Sequence, residues 1–188
     1  MNDVLDFWFA DGPDGYRLAW FQPDDGFDAE IRARFAALVA PARQGALDSW
    51  ATTPEGALAL LILLDQFPRN LFRGSPEAFA SDAHALQLAK RAVIEQRMDL
   101  ALTPTQRIFL YLPFEHAESL AAQDVSVALF EGLRDHPRHA APKGTIEYAW
   151  AHRAVIARFG RFPHRNAVLG RTSTAEEAAY LAKPGAGF

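Results

Sequence analysis

From Glu55 to Phe67 the chain is almost wholly apolar, and Ala57 to Leu64 contains no polar residue at all. A helix built on this run is apolar on every side, so no face of it can meet water. It has to be the buried centre, with other elements wrapped around it. Thr53 is placed to cap it, and Pro54 takes the first helical position, where a missing N–H costs little. The run is far too short to span a membrane.

The end of that helix carries a phrase that the chain uses twice. The first copy is Asp65-Gln66-Phe67-Pro68-Arg69-Asn70, followed by Arg73-Gly74-Ser75. The second is Gly160-Arg161-Phe162-Pro163-His164-Arg165-Asn166, followed by Leu169-Gly170-Arg171-Thr172-Ser173. Each copy is expected to end a helix at Phe-Pro, present Arg and Asn in a tight turn, and restart a helix after Gly and Ser. We expect the two turns to lie close together, since Asp65 needs a cation and the second copy is rich in them.

The remaining punctuation is helical. Val4–Phe9 reads as a short apolar helix, and Asp28 as the cap of a helix through Ile31, Phe35 and Leu38 that Gly45 stops. Ser75-Pro76-Glu77 opens a long helix to about Arg97. Thr103-Pro104-Thr105-Gln106 is a capping box for the next, which Pro113 kinks or ends. Further helices are expected over 123–133, 145–159 and 174–183, with 136–144 as the loosest loop. The terminal Phe188 is either frayed or docked. No alternating pattern argues for a strand. The spacing therefore predicts an all-α single domain over 1–188, an irregular tetratricopeptide-like repeat or superhelix of antiparallel helix pairs.

Composition narrows the function classes. The 188 residues include no cysteine, which excludes disulfides, thiolate nucleophiles and Cys-ligated zinc. The opening Met1-Asn2-Asp3-Val4 has no basic stretch before an apolar one, so no signal peptide is expected and the cytoplasm is the expected location. The net charge of −4 conceals an asymmetry. Eight acids and one base, Arg17, fall in the first thirty residues. Five arginines, two histidines and no acid lie between Tyr148 and Ala175. Such a block attracts anions, unless it serves to meet the chain's own acids. Nucleic acid is not the expected partner, because the block is short and the whole chain acidic. No membrane partner is expected either.

Candidate chemistry falls at four places. Asp65 ends the buried helix, where the dipole and burial both disfavour a lone carboxylate, so Arg69 or Arg73 should neutralise it. Glu115 and His116 follow Pro113, and a carboxylate beside an imidazole fixes its tautomer or raises its basicity. His152 shares a helical face with Tyr148, Val155 and Phe159 and should point inward. Arg161, His164 and Arg165 lie in the basic block, where guanidinium groups suit phosphate or carboxylate. A catalytic set of Glu115, His116 and His164, with Asp65, Arg69, His152, Arg161 and Arg165 binding the ligand, is thus one reading. Structural ion pairs and a satisfied core histidine are the other. No HExxH, Glu-x-x-His, nucleophile-elbow or glycine-rich phosphate motif is present, so neither a metal nor any particular cofactor is indicated.

The strings Leu63-Leu64-Asp65-Gln66-Phe67-Pro68-Arg69-Asn70, Phe109-Leu110-Tyr111-Leu112-Pro113-Phe114-Glu115-His116 and Arg158 to Asn166 closely resemble the bacterial family known as domain of unknown function 924. The resemblance runs from Val4-Leu5-Asp6-Phe7-Trp8 to Pro184-Gly185. It implies an all-helical, tetratricopeptide-like fold and no established activity. Two functions stay open. One is an internal pocket for a small anionic molecule, with acid–base or hydrolytic chemistry. The other is a tetratricopeptide-like module that holds a peptide, its buried polar groups being structural.

Overall fold

The computed structural model describes residues 1–187, so the fate of Phe188 lies outside the described residues. All the regular structure among them is helical, as the spacing predicts, and none is strand. The chain divides into two compact units, Met1–Arg73 with Glu77–Pro113 and Gly74–Pro76 with Phe114–Phe188.

In the first unit the helices are α1 (Asn2–Trp8), α2 (Asp25–Arg43), α3 (Pro54–Leu61), α4 (Phe67–Leu71) and α5 (Asp82–Ala89). α3 is the buried centre, with every residue from Gly56 to Pro68 buried. Thr53 accepts a hydrogen bond from the Gly56 amide and Pro54 sits in the first turn, as read from the sequence. Aromatic rings close around it. Trp8 meets Phe67 at 5.6 Å and Phe109 edge-on at 5.4 Å, while Phe7 stacks on Phe27 at 5.1 Å. Such pairs stabilise beyond the area they bury, by roughly 0.5–1.5 kcal/mol each.

The helix does not stop at Phe67-Pro68. It widens into a π turn over Ile62–Gln66 and continues as α4 to Leu71. Proline is tolerated because it falls in the first turn of the new segment. The Leu64 carbonyl nevertheless loses its usual donor four residues on, and the Ser81 hydroxyl replaces it at 2.6 Å. Two other boundaries differ from expectation. Asp24, not Asp28, caps α2, accepting from the Phe27 amide at 2.8 Å. The helix after Ser75 is broken into a 3-10 turn (Pro76–Phe79), α5 and a second π turn at Lys90–Glu95.

α6 (Pro104–Glu115) begins with the expected box. Thr103 and Gln106 exchange hydrogen bonds, side chain to amide, in both directions. Pro113 does not end α6, which runs two residues further, and the division between the units falls directly after it. The second unit contains α7 (Leu120–Glu131), α8 (Pro137–Ala140), α9 (Thr145–Phe159) and α10 (Ala175–Leu181). α8 is a short helix where a loop was expected. α9 matches its predicted limits and ends at Gly160, whose φ of +71° only glycine adopts without strain. α7 packs along α9, and Phe130, Ile146, Ala149, Ile156 and Phe162 form the core there.

Candidate functional site

The predicted site residues divide between the units. Asp65 and Arg69 belong to the first. Asp65, 1% exposed, sits on the π turn and accepts from the Gln66 amide and from Arg69. Arg69 also grips Asp82 with two bonds of 3.0 Å, and its Nη1 donates to the Asp65 carbonyl. One guanidinium therefore joins two carboxylates and a helix end. Burial opposes its charge, but Asp65 and Asp82 outweigh that and hold it still more firmly protonated. Next to it, Asp28 takes Asn70 at 2.7 Å and Arg73 through both oxygens. Neither Asp82 nor Asp28 stood out in the sequence as a partner. Both lie far from the turn in the chain, and no local pattern marks them.

The second unit gathers the other six. The last turn of α6 delivers Glu115, 4% exposed, and the turn that follows it delivers His116. α9 delivers His152, 6% exposed, and the 3-10 turn Pro163–Arg165 delivers His164 and Arg165. Glu115 pairs with His152, not with its neighbour in sequence: its Oε1 lies 3.2 Å from His152 Nδ1. The same nitrogen lies 2.8 Å from the Tyr148 carbonyl. Both neighbours are acceptors, so Nδ1 carries the proton and neutral His152 keeps its lone pair on Nε2. Tyr148 contributes through its backbone only; its ring is half-exposed rather than inward.

The surroundings oppose a positive charge on the imidazoles. Burial pushes His152 down to about 3, and His116, Arg165 and His164 act in the same direction. The Tyr148 carbonyl opposes this without reversing it. Burial and Arg165 push His164 down to about 4. The His116 ring lies 6.3 Å from His152, and Phe162 lies edge-on to His152 at 5.6 Å. Arg165, 6% exposed, is stacked over Phe162 at 4.5 Å.

Arg161 belongs to a different network. It holds Glu177 through two bonds, 2.6 and 2.8 Å, and this pairing keeps the Glu177 carboxyl at about 2. Glu177 is only 2% exposed and also completes the Thr174 capping box of α10. Arg171 grips Glu118 at 2.6 and 2.9 Å, and Arg158 pairs with Glu176. The acid-free block therefore meets its acids from residues on either side of it. Gln123 is a further residue the sequence did not single out. Fully buried on α7, it donates to the Glu115 and Ala117 carbonyls at 2.6 and 2.9 Å and so closes the α6 end beside the cluster.

Two open surface depressions, of about 380 and 430 Å³, lie elsewhere. None of the predicted site residues lines either. Among the described residues no three His, Asp or Glu side chains are arranged to hold a metal ion, and no helix is long and apolar enough to cross a membrane.

Fold and site thus define an all-helical protein with a buried imidazole–carboxylate–guanidinium cluster in its second unit. The chain belongs to the bacterial protein family of unknown function DUF924, whose profile matches residues 4–185. It is similar to the solved structure of a protein of unknown function from Agrobacterium tumefaciens, with 41% identity, 96% of each chain covered and a TM-score of 0.84. Among curated proteins no match is found.

Proposed function

We propose that the second unit binds a small anionic ligand at the cluster of Glu115, His116, His152, His164 and Arg165. The observation that carries this is the convergence of ionisable side chains from separate segments. Glu115 Oε1 lies 3.2 Å from His152 Nδ1, and the His116 ring is 6.3 Å from that of His152. The buried Arg165 guanidinium lies over Phe162, which packs edge-on against His152. A guanidinium beside oriented imidazoles suits a carboxylate or phosphate group. The Glu115–His152 pair supplies an oriented imidazole for proton transfer, with His164 the second candidate. A thermal-shift screen of phosphate and carboxylate metabolites at constant ionic strength tests this. Binding raises the melting temperature by mass action, and Arg165→Ala abolishes the rise while Arg158→Ala keeps it. No rise beyond that of chloride refutes the reading.

The first unit favours a second reading. Arg69 joins Asp65 and Asp82, and Arg73 pairs with Asp28, so the ion pairs of this unit support a bracing role. If the second unit's cluster is structural too, the chain is a tetratricopeptide-like superhelix that holds a peptide.

A further inference from the structure

The surface of the chain's acidic opening segment is unusual. Tyr16, Leu18 and Phe21 are 43%, 60% and 45% exposed. They lie on one short turn, Leu18–Trp20 and its flanks, where the Phe21 amide bonds the Leu18 carbonyl. Tyr16 stacks on Phe21 at 6.1 Å, and Phe21 stacks on Phe109 beneath it. The side chains thus form one supported apolar knob rather than scattered contacts. Single exposed apolar residues are ordinary, whereas a contiguous aromatic patch with a polar rim marks a binding surface.

Asp11, Asp14, Asp24 and Asp25, which flank the knob in sequence, are all exposed. The lone base of the segment, Arg17, is turned inward: it donates to the Phe7 carbonyl at 2.8 Å and lies over the Phe27 ring at 4.8 Å. Its Nε also lies 4.0 Å from an Asp11 oxygen, so one of the four acids has a base beside it and the segment keeps an acidic excess. We propose that this face docks a basic protein segment, one with Lys or Arg around an apolar anchor. Aromatic centres with charged rims are the anatomy of such contacts, the centre supplying affinity and the rim selecting the sign of the partner. This surface lies in the first unit and does not depend on the ligand reading above.

A synthetic Lys/Leu amphipathic helix and its Glu/Leu counterpart serve as probes on the full chain. The Lys/Leu peptide should bind at least about tenfold tighter than the Glu/Leu peptide, and less tightly as salt rises. Leu18→Ser with Phe21→Ala keeps the charge and should cost about tenfold. Asp11→Asn with Asp25→Asn keeps the knob and should weaken binding and flatten its salt dependence. If the aromatic change lowers the melting temperature, Leu18→Ser alone, at the most exposed position, carries the test. Equal binding of both peptides, or binding that survives either pair of substitutions, overturns the proposal. So does sedimentation showing a dimer that Leu18→Ser dissolves, since the occupant would then be a second copy.

Discussion

The two copies of the Phe-Pro phrase fold alike in their ends and differently in their middles. In each, the closing glycine is left-handed, Gly74 at φ +72° and Gly170 at +65°. In each, the Asn is buried and belongs to the network of a later Arg: Asn70 and Arg73 share Asp28, while Asn166 accepts from Arg171, which holds Glu118. The arginine between them behaves differently. Arg69 is clamped by Asp65 and Asp82, whereas Arg165 lies against Phe162, acts on two histidines and helps to keep Glu118 ionised. The difference comes from one step of backbone. The first copy continues a helix through a π turn and so keeps Asp65 one turn from Arg69. The second follows a helix already ended at Gly160, and its Pro163 opens a separate 3-10 turn. One phrase thus builds a structural brace in one place and a candidate site in the other.

Acid should separate the two regions most sharply. His152 and His164 stay neutral in the folded chain but protonate near 6.5 once it unfolds. Below 6.5 the unfolded chain binds more protons, so their contribution to stability is full above 6.5 and falls as pH drops towards about 4 and 3. Asp28 loses its contribution in the same direction but in a lower window. Although burial works against its charge, Arg73 and Asn70 hold its carboxyl below 3.8, so its contribution persists until pH falls below that. Amide exchange corrected for intrinsic rates should therefore show α9 loosening between pH 6.5 and 4.5 while α3 stays protected. In NMR titrations neither histidine should show a midpoint near 6.5. Equal loosening of both helices, or a normal midpoint for both rings, breaks the distinction.

Next in size is the brace. Asp65→Asn removes a carboxylate that is 1% exposed and takes one of the two carboxylates from Arg69, which keeps Asp82 and the backbone carbonyl of residue 65. The expected loss is about 3 kcal/mol, because a buried pair is broken on one side. Denaturant melts check it, and a loss below about 0.5 kcal/mol would put Asp65 outside the brace.

How far the sequence carried this comparison depends on where each partner lies. The all-helical class, the α3 cap at Thr53, the capping box at Thr103 and the limits of α9 were legible because propensity and capping are local. The need of Asp65 for Arg69 was legible too, four residues being one helical turn. Asp82, Asp28, Glu118 and Glu177 were not, because folding alone brings them to their arginines from 13 to 53 residues away. The choice of His152 over His116 as partner of Glu115 is of the same kind. The π turn escaped because a Phe-Pro step ordinarily ends a helix, and Ser81, whose hydroxyl supplies the missing bond, is 17 residues from Leu64.

The asparagines give a smaller, finer contrast. Asn70→Ala removes one bond to Asp28, which keeps Arg73, and should cost about 1 kcal/mol. Asn166 is fully buried and both donates to Ser173 and accepts from Arg171. Asn166→Ala leaves two groups short of a partner and should cost about 2 kcal/mol. Thermal melts of the two variants side by side rank them, and the reverse order would mean the second network is the looser one.

The smallest effect concerns the basic block itself. By charge count alone Arg158 equals Arg165, since both lie in the acid-free stretch that first drew attention to a site. The structure separates them. Arg158 is 48% exposed in its side chain and its partner Glu176 is 63% exposed, so water screens the pair and side-chain entropy offsets much of its attraction. Arg158→Ala should therefore change stability by less than about 0.5 kcal/mol. It should also leave intact any thermal shift produced by phosphate, while Arg165→Ala removes it. Were Arg158→Ala to abolish the shift as well, the block would be acting as a diffuse field of positive charge, not through one buried guanidinium. The contrast between the two Phe-Pro turns would then tell nothing about ligand binding.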